Sequence, residues 1–132
     1  MSVYIDVDGE NNLDLTLHLK YTDFREFKEV IAKMMDEDLG FLYITQGDWE
    51  IDNDSYFIYL DEVIRAKGLD EDVIGKFLFS DYTFGEIDFD IVKKLYDIIT
   101  DKPVEQEWAG VMQKFKLLLK HAIEVQKGLH WA

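Results

Sequence analysis

A chain of 132 residues with 48% apolar and 14% aromatic content is long enough for one self-sufficient core and too hydrophobic for disorder, so residues 1–132 are read as one acidic globular domain. With no cysteine it has neither a disulfide framework nor a thiolate metal site, which suits a reducing cytoplasm. A net charge of −14 repels phosphate backbones and excludes nucleic acid as a partner.

The N-terminus, MSVYIDVDGE, has no basic or apolar signal region, so no signal peptide is expected. Val3, Ile5 and Val7 alternate with polar residues at strand period. After a Gly9–Asn12 turn, Leu13, Leu15, Leu17 and Leu19 do the same, and the two runs predict a β-hairpin over 3–19. Asp23 and Glu26 form a capping-box pattern before a helix carrying Phe24, Phe27, Val30, Ile31, Met34 and Met35. Gly40 is the expected stop of that helix, which leaves Asp36, Glu37 and Asp38 opposing its macrodipole. Phe41–Thr45 then reads as a short strand.

Trp49 and Ile51 alternate with acids, as in an edge strand. Asn53, Asp54 and Ser55 are positioned to cap a helix with a Phe57, Leu60, Val63, Ile64 and Lys67 body, ending at Gly68. Tyr56–Leu60 is the longest apolar run, far short of the ~20 residues of a membrane span. Asp70–Asp72 opens a short helix with Val73, Ile74, Phe77 and Leu78 inward, and 80–85 is a loop. Asp88 or Asp90 caps the next helix. Pro103 is placed in the first turn of the last helix, whose face is Val104, Trp108, Val111, Phe115, Leu118 and Ala122 and whose terminator is Gly128. Leu129–Trp131 is a candidate closing strand. The expected fold is α+β: a single domain with an N-terminal β-hairpin plus one or two further short strands packed against about five helices.

No sequence pattern names a reaction. Glu50, Asp52, Asp54 and Asp61 fall at calcium-loop offsets, but Ser55 replaces the turn glycine and Asp61 the terminal glutamate. His18, His121 and His130 have no metal-ligand spacing, and Ser55 and Ser80 lie in no nucleophile motif. With 28 Asp and Glu, close carboxylate pairs carry no information. The expectation is no enzyme, no cofactor and no metal.

Charge placement is more informative. Residues 36–90 hold sixteen acidic residues against Arg65, Lys67 and Lys76, a net −13, while 91–132 is +2. Aromatics lie among these acids. An aromatic set inside an acidic rim is the pattern of a hot spot for a basic protein partner. The expected partner-binding residues are Asp48, Trp49, Glu50, Asp52, Asp54, Tyr56, Asp61, Glu62, Asp81, Tyr82, Phe84 and Glu86. For Tyr56 and Tyr59, lining the core edge is the competing reading. The function this suggests is an acidic inhibitor: an immunity protein that neutralises a basic, nucleic-acid-degrading bacterial toxin by blocking its positive groove. The alternatives are a DNA-mimic or regulatory adaptor and, weaker, an enzyme or small-ligand binder with an unrecognised pocket.

Overall fold

The computed structural model describes residues 1–10, 14–46 and 53–132. The expected 49–51 edge strand lies outside them. Strand β1 (Ser2–Val7) pairs antiparallel with β2 (Leu17–Lys20), as the alternation predicts, although the second strand begins two residues past Leu15. Two further strands complete the sheet. The candidate C-terminal strand forms as β4 (Leu129–Trp131), and an unexpected β3 (Gly85–Ile87) starts at the last residue of the expected 80–85 loop. The order is β2-β1-β4-β3, antiparallel throughout, so residues near the two ends of the sequence pair in the middle: Ile5 faces Trp131 and Val7 faces Leu129.

Helix α1 (Tyr21–Met35) follows β2 with no side-chain cap. The expected Asp23 cap is not used, because the Tyr21 amide donates to the Met1 carbonyl beside it; Asp23 sits within the first turn, where a carboxylate favours the macrodipole. The chain breaks at Asp36, not Gly40. Asp36 is extended and its carboxylate accepts from the Asp38 and Leu39 amides at 2.9 and 3.2 Å, opening helix α2 (Glu37–Thr45). Both expectations here are therefore corrected. Phe41–Thr45 is helix, and the 36–38 carboxylates lie at a helix N-terminus, where they are favourable. The strand-like FLYIT run gives way to the cap and to burial at helical spacing, with Leu39, Leu42 and Tyr43 inward. Gly40 serves close packing: a Cβ there would lie 2.5 Å from Lys33 Cγ and 3.1 Å from Lys33 Cα of α1.

Helix α3 (Asn53–Lys67) ends at Gly68 as expected, but Phe57 points out and Tyr56, Leu60 and Val63 are the buried positions. It runs antiparallel to α2: the Tyr56 hydroxyl reaches Leu42 O near one end, and Lys67 reaches Asp36 and Asp38 at the other. Helix α4 (Glu71–Val73) is capped by Asp70 and continues as a π-helical turn over Ile74–Leu78. Helix α5 (Phe89–Ile99) is capped by Asp88.

The last helix, α6, spans Ala109–Val125. Pro103 and Val104 precede it, and Trp108 lies in a 3₁₀ turn (Gln106–Trp108), so the helix is shorter than expected. Its buried face is Met112, Phe115, Leu118, Leu119 and Ala122. Gln126, in the left-handed region at φ 57°, ends it instead of Gly128. Gly128 admits the close approach of the chain to Ile87, whose carbonyl would stand 2.2 Å from a Cβ. The core is aromatic at its centre: Phe77 packs against Phe24, Phe115 and Trp131 with ring centroids 5.8–6.3 Å apart.

Candidate functional site

Asp48, Trp49, Glu50 and Asp52 lie outside the described residues. The remaining expected residues fall in two groups. Asp54, Tyr56, Asp61 and Glu62 are on α3; Asp81, Tyr82, Phe84 and Glu86 are on the segment running into β3. Tyr56 is corrected: it is 4% exposed and its hydroxyl donates to Leu42 O at 2.6 Å, with burial pushing its pKa up to about 12. A ring in the core has no face to offer a partner. Asp54, Glu62 and Glu86 are exposed, and Asp61 pairs with Arg65 at 3.0 Å within its own helix.

The Asp81 carboxylate accepts from the Thr83 hydroxyl and amide at 2.6 and 2.7 Å, which folds a tight turn and holds its carboxyl below the ordinary value. Tyr82 is 37% exposed, edge-on to Tyr21 at 5.7 Å and beneath the Arg25 guanidinium at 5.5 Å. Phe84 is 66% exposed. The two groups flank the C-terminal end of α2. Asp54 begins the antiparallel α3 there, and Tyr43 of α2 meets Phe79 at 5.5 Å.

Bases are spent elsewhere. Lys67 binds Asp36 and Asp38 at 2.9 and 2.6 Å, which raises its pKa to about 12. At Asp36, burial opposes ionisation, but the Lys67 bond and the two cap amides outweigh it and keep the pKa below normal. Lys94 of α5 holds Asp70 and Asp72 at 3.5 and 3.3 Å. These pairs offset part of the charge at the starts of α2 and α4. Among the described residues, Asp54, Glu62 and Glu86 form no such pair.

The residue that sequence reasoning missed is Lys28. It is 1% exposed, and its ammonium donates to Ser80 O at 3.1 Å and Ser80 Oγ at 3.0 Å. It packs over the Phe24 ring at 4.6 Å and the Phe77 and Trp131 rings at 5.5 Å. Burial lowers its pKa to about 7, partly offset by the Asp81 charge. The signal was present: Lys28 stands in the inward stripe Phe24, Phe27, Ile31 at helical spacing. Trp131 Nε1 adds a bond to Asp81 O at 2.9 Å, so residues 80 and 81 are each tied to the core.

A cleft of about 680 Å³ opens between α1, the end of α2 and this segment, lined by Arg25, Glu29, Tyr43, Phe79, Ser80 and Tyr82 among others. A second cleft of about 530 Å³ adjoins it, sharing Glu26 and Glu29, and is walled also by Val104, Glu107 and Trp108. The histidines have individual partners: His18 stacks on Tyr4 and meets Ser2 Oγ, His121 meets Glu10, and His130 meets Asp8. Among the described residues, no three His, Asp or Glu side chains are grouped to hold a metal ion, and no helix is long and apolar enough to cross a membrane.

Comparison with protein-family models, curated proteins and solved structures finds no match.

Proposed function

We propose that this chain is an acidic protein-binding inhibitor acting in the cytoplasm, specifically an immunity protein that neutralises a basic, nucleic-acid-degrading bacterial toxin by covering its positive groove. One observation carries the reading. The segment bearing Asp81, Tyr82, Phe84 and Glu86 projects charge and exposed aromatic surface from a backbone bolted to the core by Lys28 and Trp131. A preorganised segment loses little entropy on binding, an acidic field speeds encounter with a cationic surface, and aromatic side chains slow release. The role is stoichiometric occupation and needs no catalytic group. The cleft beside Ser80 favours a second reading, a small-ligand binder, by volume alone.

The test is to capture the partner from the native host with the tagged chain and to follow association by stopped flow. The expected partner is basic. Asp54→Lys with Glu86→Lys should slow association about tenfold at low salt and flatten its salt dependence. Phe84→Ala should instead speed dissociation, at a cost of about 2 kcal/mol. An acidic partner, or silence of all three substitutions, would sink the proposal.

A further inference from the structure

Phe57, Ile58 and Tyr59 are consecutive on α3 and 61, 61 and 42% exposed. The helix buries Tyr56, Leu60 and Val63 and leaves much of this run exposed. A run of three exposed apolar residues does nothing for a monomer's stability and marks an interaction surface. Helical spacing places Asp54 one turn before Phe57 and Ile58, and Asp61 one turn after them. Glu62 stands one turn after Ile58 and Tyr59. The outward face thus reads carboxylate, apolar pair, carboxylate, repeating at the pitch of a helix.

We propose that this face of α3 docks a cationic amphipathic helix of a protein partner, which sets an apolar pair against Phe57 and Ile58 and a Lys or Arg one turn to either side. The inference rests on the inhibitor reading and narrows it to one helix. A partner helix shares the rise of α3, so its cations meet Asp54 and Glu62 in register while its apolar side chains pack between them. A second copy does not fit: a symmetric contact would bring Asp54, Asp61 and Glu62 against their own like, between chains of net charge −14. An anionic membrane surface is repelled in the same way.

The test titrates the isotope-labelled full chain with a stapled helical peptide carrying Leu-Ile at its centre and lysines one turn to either side. The readout is backbone amide shifts. Saturable shifts concentrated in residues 54–62 are expected. Ile58→Ser should weaken binding about tenfold or more. Asp54→Lys should weaken it too and flatten its salt dependence. Both sites are exposed, so matching melting curves will show that the fold is kept, and Phe57→Ser is an independent second variant. Absence of binding, shifts elsewhere, equal binding of a peptide with glutamates in place of the lysines, or an Ile58-dependent dimer in sedimentation would each overturn the docking face. A lysine-rich peptide without the apolar pair separates the two proposals. If it alone binds, on the Asp81–Glu86 segment, the docking face falls and the acidic inhibitor stands.

Discussion

Lys28 is the residue at which stability and pH meet. Its pKa is about 7 in the folded chain against 10.5 for the free side chain. Between those values the unfolded chain binds the extra proton, so stability should rise with pH by up to about 1.4 kcal/mol per unit from pH 7 towards 10. Below pH 7 both states are protonated and the cost of burying the ammonium is fully present. Above pH 10 the trend reverses. The raised pKa values of Tyr43 and Tyr56 mean that the native state keeps protons the unfolded chain has lost, and the strengthened Lys67 charge begins to titrate. Urea unfolding of wild type and Lys28→Met between pH 7 and about 10 will check it: the slope should vanish in the variant, and a slope unchanged would mean the ammonium is solvated. Lys28 was legible as a break in an apolar stripe, but its meaning was not. Only the tertiary approach of Ser80, 52 residues away, supplies its hydrogen bonds. Tyr56 failed for the mirror reason: it lies among acids in sequence and among apolar side chains in space.

The helix pair α1–α2 turns on two residues that sequence reading assigned to other tasks. Asp36 caps α2, and Gly40 lets Lys33 lie against the α2 backbone. Alanine is the better helix former by about 1 kcal/mol, yet Gly40→Ala should destabilise by about 1–3 kcal/mol because the new methyl meets backbone as well as side chain. A variant at least as stable as wild type in denaturant would show that the helices separate freely. Phe115→Ala should cost about 3–5 kcal/mol, since Phe115 is fully buried and its ring centroid lies 5.1 Å from that of Phe27 and 5.8 Å from that of Phe77. A melting curve matching wild type would place α6 outside the core. Local period identified the hairpin, α1, α3, α5 and α6. It failed at Phe41–Thr45, where β-favouring side chains sit behind a helix cap, and at Gly85–Ile87, a strand too short to show a period and defined by its pairing with β4.

Across the whole molecule the dominant quantity is charge. A net −14 on one small domain repels itself, and the ion pairs of Lys67 and Lys94 offset it only at two helix starts. Sodium chloride raised from about 10 mM to about 1 M shrinks the screening length from about 30 to about 3 Å. The midpoint of thermal unfolding should therefore rise by several degrees, and a flat or falling midpoint would mean that specific pairs outweigh the general repulsion. The uneven charge was fully legible in the sequence; which carboxylates are already matched was not, because Lys67–Asp36 and Lys94–Asp72 join different elements.

The pairing of β1 with β4 also sets how the domain resists being pulled. The strands are antiparallel, with the Tyr4 amide donating to the Ala132 carbonyl, so residues 1 and 132 lie at the same end of the sheet. Tension applied between them would load these bonds one after another, as in opening a zip, because antiparallel ladder bonds run across the strands. Tension applied between residues 8 and 132, at opposite ends of the same pair, would load the bonds together. The fold should therefore yield at low force along the first direction and hold along the second, with every contact in the core unchanged.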